Sequence, residues 1–182
     1  MIYLVDMDGV LADTVGGIYK DLLKRHPNFP AIPYEQNTCW DFPSLYTEEQ
    51  EKLIREIWRQ DHFFRDLEPL PGALEGIQEL SNFGDVLICT YPTTTNRTCM
   101  QDKYDWVKKH LSHDWARRTI LTKDKSLVYG DMLIDDKPNP EENGRITPSW
   151  QHIVYDQPWN RHVKSRKRMT WQMNWKKVLE IA

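Results

Sequence analysis

Ile2-Tyr3-Leu4-Val5 is an unbroken apolar run that stops at Asp6. A run without polar alternation reads as a strand buried on both faces, and parallel sheets are built from such strands. Four comparable runs follow, at 86–89, 119–121, 132–134 and 152–155. Helical periodicity fills the gaps between them. Leu74, Ile77 and Leu80 share one face, as do Met100, Tyr104, Val107 and Leu111, and then Trp171, Trp175, Val178 and Leu179. Strands alternating with helices predict an α/β fold: a parallel sheet of about five strands, right-handed crossovers, and helices over both faces.

Residues 14–70 break this rhythm. Pro27, Pro30, Pro33 and Pro43 punctuate them, helical pieces are predicted near 16–26 and 48–60, and no strand signal matches the first. The expected organisation is therefore a core of 1–13 and 71–182 with a small helical insertion at 14–70, closing at Leu70-Pro71-Gly72. A length of 182 residues suits one domain carrying such an insertion. The stretch 137–149, rich in Pro, Asn and Glu, reads as a surface loop.

Composition narrows the classes. Hydrophobic residues make up 40% and charged residues 28%, enough apolar surface for a real core. No stretch supplies the ~18 uninterrupted apolar residues of a membrane helix. The formal charge of −3, from 24 basic and 27 acidic residues, argues against a coat for nucleic-acid polymers but leaves small anions open. Cys39, Cys89 and Cys99 carry neither zinc nor redox spacing, which fits a reducing compartment. With no signal or transit pattern at Met1, the cytoplasm is the expected location. A homodimer is compatible with all of this.

In an open parallel sheet, ligands bind beyond the carboxyl ends of the strands. Those ends carry Asp6-Met7-Asp8-Gly9, Thr90 and Asp135-Asp136, with Lys125 just upstream of the last pair. Crowded carboxylates repel unless a cation sits among them, and oxygen ligands without a His or Cys cluster favour Mg²⁺. A metal, a hydroxyl and a lysine around one carboxylate make a receptor for a phosphoryl group. Asp6 could attack phosphorus, and Asp8 could serve as acid and base. Gly9 would let the backbone approach the phosphate. Taken singly, each feature has an ordinary reading: D-x-D as a turn, Thr90 as a cap, Asp135-Asp136 as a loop start. Asp13 reads as the N-cap of the helix starting at Thr14.

The motif Asp6-Met7-Asp8-Gly9-Val10-Leu11-Ala12-Asp13 resembles motif I of the haloacid dehalogenase superfamily of phosphohydrolases. Thr90 matches motif II, Lys125 motif III and Asp135-Asp136 motif IV. Nearly the whole chain is similar to the 5′(3′)-deoxyribonucleotidases, through Leu67-Glu68-Pro69-Leu70-Pro71-Gly72, Lys103-Tyr104-Asp105-Trp106-Val107, 121–125 and 147–150. The resemblance implies a Rossmann-like core with a helical cap, Asp6 as nucleophile and Asp8 as acid/base. It further implies Mg²⁺ on the Asp6 carboxylate, the Asp8 carbonyl and a motif IV carboxylate, Asp136 in preference to Asp135. Thr90 and Lys125 would bind phosphate. Lys103, inside a helix, is expected in a solvated or salt-bridged role, with little effect when removed. Trp40, Trp58 and Tyr91 are the expected substrate contacts; Trp40, on a loop without a helical stripe, is favoured for stacking on a base. Tyr91, Thr94 and Thr14 depart from the family's usual serine, lysine and aromatic.

The function implied is Mg²⁺-dependent dephosphorylation of (deoxy)ribonucleoside monophosphates through an aspartyl-phosphate. The alternatives are a phosphatase for another small phosphomonoester and a non-catalytic phosphate-accepting module. A kinase is disfavoured, since no G-x-x-x-x-G-K-[ST] loop is present.

Overall fold

The computed structural model describes residues 1–142 and 144–181; of the loop read at 137–149, residue 143 lies outside the described residues. The apolar runs form strands β1 (Ile2–Val5), β2 (Asp85–Thr90), β3 (Thr119–Leu121), β4 (Met132–Asp135) and β5 (Gln151–Tyr155). A sixth, β6 (Arg168–Met169), is a two-residue edge strand too short for periodicity to reveal. All pair in parallel, in the order β3-β2-β1-β4-β5-β6. The chain thus walks one way from β1 to β3 and the other from β4 to β6. Its topological switch lies between β1 and β4, and in open α/β sheets ligands bind at that point, beyond the strands' carboxyl ends.

Alternation along the strands divides the core. Tyr3, Val5, Val86, Ile88, Met132 and Ile134 face the large cluster, which includes helical residues of α3 (Ala73–Leu80), α4 (Cys99–His110), α5 (His113–Ala116) and α6 (Trp175–Leu179). Leu4, Cys89 and Leu133 face the other way, against Trp150, Val128, Ile2, Leu87 and Ile120. None of these is helical, so the second face is covered by connecting segments rather than by the helices expected there. Its cover is anchored by the Trp150 indole, which donates to the Lys125 carbonyl at 3.0 Å.

Between β1 and α3 run α1 (Thr14–Arg25), α2 (Glu48–Trp58) and three short 3-10 turns. Asp13 caps α1, its carboxylate accepting from Gly16 N at 2.9 Å. Thr47 and Gln50 cap α2 reciprocally, satisfying two donors that a helix start leaves unpaired. Ile18, Leu22, Phe42, Ile54 and Ile57 are buried and continuous with the large cluster. The segment's entry and exit are tied together: Asp13 N donates to Glu68 O at 2.9 Å and Leu70 N to Leu11 O at 2.8 Å. Gly72, at φ +76°, takes the left-handed turn into α3.

Two helical stripes differ from expectation. α4 buries Cys99, Asp102, Lys103, Trp106 and Val107, while Met100 is exposed; the buried face is rotated by one residue and carries charge. α6 begins at Trp175, so Trp171 packs ahead of it, 6.0 Å from the Trp175 ring.

Candidate active site

At the switch point the backbone leaves β1 through Asp6, whose N–H still donates to Ile134 O at 2.9 Å. It then folds back on itself, and Met7 O accepts from Val10, Leu11 and Ala12. Gly9 makes this turn at φ +71°, a region that side-chain-bearing residues avoid. It also lies against motif IV: a Cβ there would stand 2.5 Å from Asp136 Oδ2. Glycine is required twice over.

Asp6, Asp135 and Asp136 are all buried, with one carboxylate oxygen of each within 4.8 Å of the others. Lys125, itself buried, places Nζ 2.8 Å from Asp6 Oδ1 and 2.6 Å from Asp135 Oδ2. The approach to Asp6 is an ion pair off the hydrogen-bonding direction, and Asp6 Oδ1 receives no aligned hydrogen bond from the described residues. Burial pushes the Asp6 carboxyl up to about 6; Lys125 opposes this, and Asp135 and Asp8 add to it. Asp136 is held well above the usual carboxylate range by burial and by its acidic neighbours. Burial would raise Asp135 too, but the Lys125 ammonium outweighs it and holds that carboxyl low. Burial alone would lower Lys125; Asp135 and Asp6 more than reverse it.

One ammonium among three buried carboxylates leaves the cluster short of positive charge. Asp6 and Asp136 still have oxygens to offer, and every donor is a hard oxygen, so the residues present fit a small divalent cation such as Mg²⁺. Asp135 is the least available of the three. It is paired with Lys125, and its other oxygen accepts from Lys137 N at 2.8 Å. Asp136 is steered by the Trp159 indole N–H, which donates to Oδ2 at 3.0 Å.

Of the two roles expected for Lys103, solvated or salt-bridged, the structure shows the second, and places it inside the site. It is fully buried, with Nζ 2.5 Å from Asp8 Oδ2 and 2.7 Å from Thr90 Oγ1. Thr90 ends β2 and is also fully buried. Thr14 lies on the other side of Asp8, its hydroxyl donating to Oδ1 at 3.3 Å. The signal that could have found Lys103 is its spacing: Cys99, Lys103, Trp106 and Val107 make as good a stripe as the one starting at Met100.

Among the expected substrate contacts, Trp40 is 49% exposed and Lys137 Nζ sits 5.2 Å from its ring centre, which brings the insertion over motif IV. Trp58 is half-buried against the core, and its indole N–H is buried without a partner among the described residues. Tyr91, directly after Thr90, is exposed. Gln157 and Tyr34 escaped sequence reasoning. Gln157 Nε2 donates to Gly9 O at 2.7 Å, and Tyr34 OH, from the insertion, donates to Gln157 Oε1 at 2.5 Å. Lone polar residues at such separations leave no periodic trace.

A parallel α/β sheet with acidic residues gathered at its switch point, and a helical insertion after its first strand, defines a hydrolase of the haloacid dehalogenase type. The fold agrees with the solved haloacid dehalogenase-like hydrolase of Streptococcus pneumoniae, at a TM-score of 0.61 and 13% identity, covering 98% of this chain and 96% of that one. The chain belongs to the family described as 5′ nucleotidase, deoxy (Pyrimidine), cytosolic type C protein, whose model matches residues 1–182. It is 38% identical over 186 residues to the human cytosolic 5′(3′)-deoxyribonucleotidase, covering 97% of this chain and 92% of that protein. A Bordetella pertussis protein, assigned by its description to the same enzymes, is 42% identical over 180 residues, 98% of this chain and 95% of its own. The chain is accordingly a phosphomonoester hydrolase of the deoxyribonucleotidase type. Among the described residues, no helix is long and apolar enough to cross a membrane.

Proposed function

We propose that the protein hydrolyses (deoxy)ribonucleoside monophosphates with Mg²⁺ as cofactor, by way of a phosphoryl group carried transiently on Asp6. The observation that supports this best is the cluster itself: Asp6, Asp135 and Asp136 buried together, with Lys125 between two of them and Thr90 and Asp8 joined alongside. The Asp6 carboxylate attacks phosphorus as the bond to the leaving oxygen breaks. Asp8 donates the proton that oxygen needs, then takes one from the water that releases phosphate from Asp6. Thr90 and Lys125 face the phosphoryl oxygens with a hydroxyl donor and an ammonium. The Asp6 carboxylate, the Asp8 carbonyl and Asp136 would hold the Mg²⁺, which supplies charge neutralisation for the carboxylates and the phosphoryl oxygens.

Residues 14–70 act as a cap over this site. Trp40 and Trp58 from the cap and Tyr91 from the end of β2 supply the substrate-facing surface, and Trp40 is the residue that stacks on the base. The test is a panel of nucleoside 5′- and 3′-monophosphates, pyrimidine deoxynucleotides first, against sugar phosphates, each with Mg²⁺ and with chelator. Nucleotides should be preferred by a wide margin, and activity should vanish on chelation. Equal rates on sugar phosphates would move the protein to another phosphomonoester. Full activity with Zn²⁺ alone, or undiminished activity in chelator, would remove the Mg²⁺ assignment.

A further inference from the structure

Lys103 is fully buried, an expensive place for an ammonium, and the hydrolytic steps above leave it without a task. Its three hydrogens have three destinations: Asp8 Oδ2 at 2.5 Å, Thr90 Oγ1 at 2.7 Å, and the Phe64 ring, whose centre is 5.3 Å away. An ammonium can only donate. That single restriction has consequences for both partners.

Where Lys103 meets Thr90, the hydroxyl oxygen must accept, so the hydroxyl hydrogen is left to donate elsewhere. Where Lys103 meets Asp8, Oδ2 must accept, so a proton on this carboxyl resides on Oδ1. The neighbour of Oδ1 is the Thr14 hydroxyl, which can donate or accept and therefore tolerates either state. We propose that Lys103 is a positioning residue, which makes Thr90 a donor toward the phosphoryl group and makes Oδ1 of Asp8 the oxygen that carries the transferable proton. The inference rests on the reading of Asp8 as acid/base. In the step it serves, the Asp6–phosphorus bond forms and the bond from phosphorus to the leaving oxygen breaks. The proton passes from Asp8 Oδ1 to that oxygen, and the ammonium meets the negative charge left on Asp8. The returning water gives its proton to the same Oδ1.

The two duties separate by substrate. A nucleotide leaves as an alkoxide that must be protonated, whereas p-nitrophenolate leaves without help. In the transfer to Asp6, the step that kcat/KM reads, holding Thr90 serves both substrates and holding Asp8 serves only the first; the later attack of water on phosphoryl-Asp6 is common to both. In Lys103→Met, kcat/KM should fall ~10²–10³-fold for a nucleoside 5′-monophosphate and about tenfold for p-nitrophenyl phosphate. Thr90→Val should cost both substrates alike. Lys103→Arg, whose head group also only donates, should keep the wild-type ratio of the two substrates even if packing lowers both rates. Should Lys103→Met not give a cooperative melt, Lys103→Gln carries the same comparison, since an amide does not enforce donation.

Asp8→Asn is measured in parallel and should also penalise the nucleotide more. If Asp8→Asn lowers both substrates equally, the acid/base reading itself fails. If Asp8→Asn discriminates but the Lys103 variants do not, or if Lys103→Arg loses the ratio as Lys103→Met does, the role given to Lys103 is wrong and Asp8 keeps its own.

Discussion

In the mechanism proposed above Asp6 carries the most chemistry, and the neighbouring carboxylates are committed elsewhere. Asp135 is engaged by Lys125 and the Lys137 amide, and Asp136 by Trp159. Asp6→Asn should therefore abolish turnover while leaving the far-ultraviolet circular dichroism unchanged. A radiolabelled phosphoryl group trapped on wild type by acid quench, and absent from the variant, is the direct check; a label that persists in Asp6→Asn would place the nucleophile elsewhere. Trp40 is the opposite kind of residue, half open to solvent and carrying no part of the phosphoryl chemistry. Stacking is worth about 1–3 kcal/mol per base, so Trp40→Ala should lower kcat/KM for a nucleotide roughly ten- to a hundredfold. It should spare p-nitrophenyl phosphate. Equal losses on both would make Trp40 a packing residue of the insertion. The cysteines supply a structural check close by. Burial pushes the Cys89 thiol up to about 12 and Cys99 up to about 11, whereas Cys39 beside Trp40 is only half-buried. A native protein at pH 8 should thus titrate one thiol rapidly with a disulfide reagent, and all three after denaturation.

At the scale of elements, the turn from β1 into α1 and the turn after β4 lock together, and Gly9 is where they touch. Gly9→Ala would hold an L side chain at φ +71°, with its Cβ 2.5 Å from Asp136 Oδ2. The backbone cost is about 1–3 kcal/mol, and the displaced carboxylate adds to it. The variant should melt earlier and lose more than tenfold in activity; unchanged kinetics would mean that Asp136 can move without consequence. Thr47→Ala should cost a similar ~0.5–2 kcal/mol through the α2 cap while leaving kcat nearly intact, because that cap lies on the exposed side of the insertion. These elements also show where sequence reading succeeds. Strands β1, β2, β4 and β5 were legible because burial on both faces writes an unbroken apolar run, and Asp6, Asp135 and Asp136 were legible because the β1 and β4 runs end on them. β6 was not, since two residues hold no period. α4 was misphased because its buried face includes Asp102 and Lys103, charges a hydrophobic stripe cannot show. The two-sided helical cover failed for another reason: the β3–β4 connection is too short to build a helix of ordinary length, so Trp150 and Val128 fill that side instead.

Taken as a whole, the molecule concentrates an electrostatic liability at the centre of its sheet, and its stability should report on what relieves it. Three buried carboxylates share one ammonium, and burial holds Asp6 at about 6 against an ordinary carboxylate near 3.8. A carboxyl whose folded pKa is raised binds its proton more tightly in the native state, so its contribution to stability is full at low pH and is lost as pH rises from about 4 through about 6. In chelator, the melting temperature of Asp6→Asn relative to wild type should therefore climb over that interval, because the amide has no charge to bury. Mg²⁺ should act on the same deficit by binding the native state alone. At a hundred times its dissociation constant a cation adds about 2.7 kcal/mol, which for a chain of this size is roughly 5–10 °C in melting temperature. Asp136→Asn separates the two effects. Without metal it should melt at or above wild type, since one repelling charge is gone, and with Mg²⁺ it should gain far less, since one ligand is gone as well. A wild-type melt indifferent to Mg²⁺ at neutral pH, or an Asp136→Asn protein that gains as much as wild type, would show that the carboxylate cluster is satisfied by Lys125 alone.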